Sequence, residues 1–255
     1  MNGFEEIVYE RSDGIARLTL NRPQKLNAFT LRTADELSAA LAEAESDESV
    51  RVVLLQGAGR AFGAGFDLSI VEGMETPALG AVLEDHFNPL IRAMRASRLP
   101  IVACLQGACA GAAVGVALAA DLVIAARSAF FYEPFVGIAL VPDAGNTLFL
   151  PRLVGRIRAA GMAFLGERLS AEEAAAWGLV WRVVDDEALA ADGETVAVKL
   201  AAKPAGALAA TKRLLTLAAD AGLDAQLDLE RDLQDERGRS PESAAAVAAF
   251  LKRAR

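Results

Sequence analysis

The stretch PIVACLQGACAGAAVGVALAA, Pro100 to Ala120, decides the fold. It carries no charge and is long enough for a membrane-spanning helix. Its content points elsewhere. Pro100 opens it, Gln106 and Gly107 interrupt it, and most of the rest is Ala and Gly, which gain little on transfer into lipid. Ile101 to Leu105 reads as a buried strand, Gln106-Gly107 as a turn, and the residues running to Asp121 as a helix of small side chains. A helix N-terminus at such a turn presents unpaired N–H groups and a positive dipole end. Taken alone, the small residues serve tight helix packing equally well.

Outward from this unit, Gly14 to Leu20 and Arg51 to Gln56 read as strands, and Leu122 to Ala126 is another short apolar run. Helical patterns lie among them. Thr33 followed by Glu36 has the spacing of a capping box, and Leu37, Leu41 and Ala44 continue one apolar face. From about Gly155 the chain reads as almost wholly helical, with a second box at Ser170 and Glu173 and Ala-rich amphipathic stretches over 186–220 and 222–253. Pro204 and Gly222 break these helices. The expectation is an α/β body over residues 1–190 and a helical C-terminal region over 191–255.

A hydrophobic fraction of 53% over 255 residues is ample for a buried core. The net charge of −8, without clusters of Lys and Arg interleaved with aromatics, argues against nucleic acid as a partner. Cys104 and Cys109 have no second pair or nearby histidines, so neither a metal site nor a disulfide framework is expected. The first residues lack the basic and apolar regions of a signal peptide, and a reducing, cytoplasmic setting without membrane attachment is expected.

Three glycine-bearing or loop segments follow strands. Asn21-Arg-Pro-Gln-Lys-Leu-Asn-Ala-Phe29 reads by itself as a strand-exit loop. Gly57-Ala-Gly-Arg-Ala-Phe-Gly-Ala-Gly-Phe-Asp-Leu68 allows main-chain N–H groups to approach a ligand closely. Its spacing is a poor match to a dinucleotide-binding loop, with no acidic residue closing a second strand. Gln106 to Gly115 is the third.

In this order and at these separations, the three segments resemble the crotonase, or enoyl-CoA hydratase/isomerase, family. Gln106 stands where the family has Asn, and Ala112-Ala113 where it has two glycines. The likeness continues through Ala-Arg-Ser-Ala-Phe130, Pro142-Asp-Ala-Gly145, Leu150-Pro-Arg-Leu-Val-Gly155 and Ala175-Ala-Trp-Gly-Leu-Val180, and so covers nearly the whole chain. The resemblance implies a ClpP-like spiral of ββα units with a C-terminal helical region, assembled as a homotrimer or homohexamer. It also implies an acyl-CoA substrate, with coenzyme A as part of that substrate and no further cofactor. Backbone amides of Phe66 and Ala112 would form an oxyanion hole. CoA and acyl contacts would come from Arg22, Lys25, Leu26, Ala61, Ala64, Asp67, Leu68, Gly111 and Phe135, with Phe250 and Arg253, or Lys252, reaching a neighbouring subunit's nucleotide.

The acids decide the chemistry. Hydratases of the family use two glutamates, and matching puts Gly115 and Phe135 at those places, neither of which can move a proton. Asp143 stands where family isomerases, including the ring-opening isomerases of phenylacetate breakdown, carry their catalytic Asp; the run Gln226 to Asp232 is similar to that subfamily. From the residues alone, Asp143 after Pro142 is also a favoured helix cap. Glu133 is the nearest rival carboxylate: it could serve as a second acid, but a structural role, on the surface or paired with an Arg, is the favoured expectation. His86, the lone histidine, is expected at the surface or lining a pocket. The reading is therefore a one-carboxylate isomerase, with a hydratase, another chemistry of the family such as thioester hydrolysis or dehalogenation, or a silent acyl-CoA-binding protein as its rivals. The stretch Val71 to Leu83 is expected to shape the acyl pocket.

Overall fold

The computed structural model describes residues 3–73 and 78–253, and residues 74–77 of the expected acyl-pocket stretch lie outside them. The chain forms an α/β body around a six-stranded sheet ordered β1-β2-β3-β4-β6-β9. Its strands are β1 (Ile7–Ser12), β2 (Ile15–Leu20), β3 (Val52–Gly57), β4 (Ile101–Leu105), β6 (Leu122–Ala126) and β9 (Arg182–Val184). β1 runs antiparallel to β2 and the others pair in parallel. Ile101 to Leu105 is buried throughout, as expected of a central parallel strand covered on both faces.

A smaller sheet, β5-β7-β8, comprises β5 (Ala108–Ala110), β7 (Phe130–Tyr132) and β8 (Leu169–Ser170). These strands and β9 were not legible in the sequence. With two or three residues each they have no room for alternation, and they form because neighbouring backbones lend them partners.

The helices of the body are α1 (Leu31–Ser46), α2 (Leu79–Val82), α3 (Asn88–Ala96), α4 (Ala112–Ala119), α5 (Asn146–Val154), α6 (Arg156–Leu165), α7 (Ala171–Trp177) and α8 (Leu189–Ala201). One face of the large sheet packs on α1, α3 and α4, and the other on α8 through Leu189, Val196 and Ala197. Pro100–Ala120 is thus β4, a turn, β5 and the buried α4. Among the described residues no helix is long and apolar enough to cross a membrane. α9 (Ala205–Ala218), α10 (Leu223–Gly238) and α11 (Pro241–Arg253) follow. The buried Lys212 of α9 fastens them to the body, its ammonium pairing with Asp121 at 2.8 Å and donating to the carbonyls of Leu99 and Met94.

Two caps differ from expectation. The box of α1 joins Thr30 and Thr33 rather than Thr33 and Glu36, and the carboxylate of Glu36 instead accepts from the amides of Glu5, Glu6 and Ile7, pinning the start of β1. The cap of α5 is Gly145 in the left-handed region, not Asp143. The box of α7 is the expected one, Ser170 with Glu173.

Candidate active site

The glycine-rich segment after β3 is held between two neighbours. Gly63 exchanges hydrogen bonds with Ala108 and Ala110, while Phe29 donates to the Gly65 carbonyl at 2.7 Å and accepts from the Asp67 amide at 2.8 Å. Asn27, buried at the root of the Asn-Arg-Pro loop, donates to the carbonyls of Ala58 and Ala61 and accepts from the Arg22 amide. Gln106, in the family's Asn position, donates to the carbonyls of Gly57 and Gly59.

This bracing presses Gly65 against the turn that starts α4. Its φ is +88°, and a Cβ there would fall 2.9 Å from the Ala110 carbonyl oxygen and 3.6 Å from the Ala112 nitrogen. Only glycine fits. The amides of Phe66 and Ala112 are thereby brought close together. Ala112 is the first residue of α4, where no intrahelical acceptor exists, and among the described residues neither amide donates to a backbone carbonyl.

Both residues line a cavity of about 360 Å³, together with Ala64, Leu68, Gly111, Phe135 and Asp143. Val82 at the end of α2, and Leu83 and Phe87 from the π-helical turn over Leu83–Phe87 that joins α2 to α3, add apolar lining. The rings of Phe66 and Phe87 meet edge to face at 5.9 Å. A larger groove of about 800 Å³, bordered by Arg92, Arg95, Arg98 and Arg213, shares no residue with this cavity.

Asp143 sits on a tight turn before α5, with Ala144 and Gly145 both at positive φ. Asn146, which sequence reasoning missed, fixes the turn. Its amide donates to the Asp143 carbonyl at 2.9 Å, and its buried side chain donates to the Gly111 carbonyl at 3.0 Å. One residue therefore ties the acid's turn to the amide turn. Gly115 closes the arrangement: a Cβ at that position would lie 2.2 Å from the Ala144 carbonyl oxygen. The backbone leaves no room for a glutamate at 115, and the buried Phe135 ring stands where the resemblance places the second glutamate of hydratases.

Burial pushes the Asp143 carboxyl up to about 6. Its Oδ1 is buried without a hydrogen-bond partner. The expectation for Glu133 is overturned. Its side chain is 1% exposed, makes no ion pair among the described residues, and leaves both carboxyl oxygens without a partner. Burial first, and then the Asp143 charge, push it up to about 8. Glu133 directly follows β7, the middle strand of the small sheet between β5 and β8.

The expected CoA contacts divide. Arg22 pairs with Asp67 at 3.1 Å and with Glu6, and its guanidinium also reaches the Ala28 carbonyl, so it holds the two loops together. Lys25 is exposed on a one-turn 3-10 helix, Leu26 beside it is half-buried, and Ala61 is buried. Phe250 is exposed on α11, as is Lys252, and the side chain of Arg253 lies outside the described residues. His86 bonds Asp35 through Nδ1 at 2.7 Å and does not line the cavity.

Residues 10–255 match the family model for enoyl-CoA hydratase/isomerase. The 1,2-epoxyphenylacetyl-CoA isomerase of Escherichia coli K12 is 43% identical over 251 residues, covering 97% of this chain and 96% of the relative. A probable enoyl-CoA hydratase of Rhodobacter capsulatus is also 43% identical, over 98% of this chain and 96% of its own. The crystal structure of an enoyl-CoA hydratase from Mycobacterium smegmatis superposes with a TM-score of 0.92 at 30% identity, covering 98% of this chain and 97% of that one.

Proposed function

The chain belongs to the enoyl-CoA hydratase/isomerase family, and from that premise we propose that it is an isomerase of a CoA thioester, with Asp143 as its one proton-moving side chain. The carrying observation is the cavity wall: Asp143 lines it, whereas Gly115 and Phe135 stand where a second carboxylate would be needed. Glu133 does not line the cavity, so it has no access to a substrate water there.

In this reading the thioester oxygen lies between the Phe66 and Ala112 amides. Asp143 takes a proton from one carbon of the acyl chain, negative charge develops on the thioester oxygen as the enolate forms, and the same carboxyl returns the proton to another carbon. The double bond has then migrated and nothing is added or lost. Two fixed N–H donors favour that charge, each lowering the barrier by about 3 kcal/mol. A base that titrates near 6 is ionised at neutral pH yet close enough to it to return the proton readily.

The E. coli relative is named for an epoxidised aromatic substrate. The Phe66 and Phe87 rings give this cavity apolar walls suited to a planar acyl group, which supports an aromatic epoxy thioester as the first substrate to try. For such a substrate the strained ring opens and rearranges under the same acid and amides. A trimer or hexamer is the proposed assembly, supported by the exposed Ile157, Phe164, Leu215 and Leu223.

The test is Asp143→Asn, assayed by turnover of epoxyphenylacetyl-CoA and by deuterium exchange at the α and γ carbons of enoyl-CoA thioesters. A fall of about 10²–10⁴-fold is expected. Turnover retained within about tenfold overturns the assignment. Hydration of crotonyl-CoA at a rate exceeding isomerisation favours instead the activity for which the R. capsulatus relative is named.

A further inference from the structure

Glu133 has no place in the chemistry just described, yet it is held against the machinery by a continuous set of bonds. The neighbouring Tyr132 carbonyl accepts from the Gly111 amide at 2.9 Å, the Gly111 carbonyl accepts from the Asn146 side chain, and the Asn146 amide donates to Asp143. The carboxyl of Glu133 is buried, with both oxygens unpartnered. The titratable groups that bear on it are Asp143, from the turn before α5, and the buried Cys109 thiol of β5. Gly166, just beyond α6, approaches its backbone carbonyl and brings no charge.

The unpartnered atoms here are of one kind. Both oxygens of Glu133, Oδ1 of Asp143 and Oδ1 of Asn146 are buried acceptors lacking a donor, and no cation pairs with either acid among the described residues. A buried carboxyl without a donor or a cation is far more stable neutral than ionised. Asp143 borders the cavity and ionises first. Burial first, and then that charge, disfavour ionisation of Glu133.

We propose that Glu133 is a positioning residue that carries its own proton in the active enzyme and acts through Asp143, so that its ionisation sets the alkaline limit of catalysis. The inference rests on the proton shuttle by Asp143. Once Glu133 loses its proton, a second negative charge lies behind the site. That charge opposes the negative charge that develops on the thioester oxygen, and it hinders a further ionised carboxylate at 143. The two acids titrate as a pair, so the limits belong to the pair rather than to either residue.

The experiment is the pH profile of kcat for deuterium exchange into an enoyl-CoA thioester, in the wild type and in Glu133→Gln, which keeps shape and removes the second titration. In the wild type the rate is expected to rise through about 6 and to fall by about tenfold per pH unit beyond the alkaline limit. In Glu133→Gln the acid limb is expected to remain and the alkaline limb to disappear. An unchanged alkaline limb overturns the proposal. If Asp143→Asn retains turnover, the shuttle itself fails; if only Glu133→Gln behaves as wild type, the shuttle stands and this inference falls. A second measurement needs no turnover. Infrared spectra of the wild type at pH 7 are expected to show the carbonyl stretch of a protonated carboxylic acid that is absent in Glu133→Gln, and an absence in both also overturns the proposal.

Discussion

The two halves of the site are built from different material. The half around Phe66 and Ala112 is backbone, placed by glycines that cannot grow a side chain. The half around Asp143 and Glu133 is side chain, buried with too few partners, and its properties come from what surrounds it. A backbone site keeps its donors through most substitutions and fails only when the chain is displaced. A carboxyl site keeps its position and changes its chemistry with each neighbouring charge or donor.

Three perturbations separate the halves further. Gly65→Ala strikes the backbone half by forcing a Cβ against the Ala110 carbonyl. It is expected to lower kcat by about 10²–10³-fold, the usual loss of one oxyanion donor. The acid limb of the pH profile should stay near 6, because Asp143 is untouched. A shifted limb would show that the halves are not separable.

Asn146→Ala cuts the tie between them. It leaves the buried Gly111 carbonyl without its donor, at a cost of about 1–3 kcal/mol. A lower melting temperature and an activity loss of about tenfold are expected. Loss of stability alone, with kcat unchanged, would mean that the tie holds the fold and not the site.

The smallest effect concerns stability against pH. Folding raises both acids, Asp143 to about 6 and Glu133 to about 8, above their usual carboxylate values. The folded state therefore holds protons that the unfolded chain has released. This contribution is fully present below about pH 4 and is lost as pH rises through about 6 and then about 8. Thermal unfolding from pH 5 to 9 should show a declining melting temperature, and Glu133→Gln should flatten the upper part of the decline. An equal decline in that variant would locate the effect elsewhere.

Most of the cavity lining was legible only through the resemblance to the family, since the local spacing of the same segments fits a strand-exit loop, tight helix packing and a helix cap equally well. Ala64, Phe66, Leu68, Gly111, Ala112, Phe135 and Asp143 meet on one wall although they come from three separate segments. Glu133 was misjudged because whether a strand-end carboxyl meets water depends on a sheet whose strands are too short to leave a pattern. Asn146 was overlooked for a related reason: an amide at a helix start looks like solvent-facing polarity until the opposite carbonyl is known. The cap of α5 failed as a reading of Asp143 because two positive-φ residues intervene.

The contact between Gly115 and Ala144 couples the start of α4 to the turn that carries Asp143. With 2.2 Å separating a would-be Cβ from the Ala144 oxygen, a glutamate at 115 cannot be introduced until the 143–145 turn has been rebuilt. That rebuilding would displace Asp143, the residue proposed to move the proton. A single Gly115→Glu substitution is therefore expected to damage the turn that carries Asp143 and not simply to add a second acid.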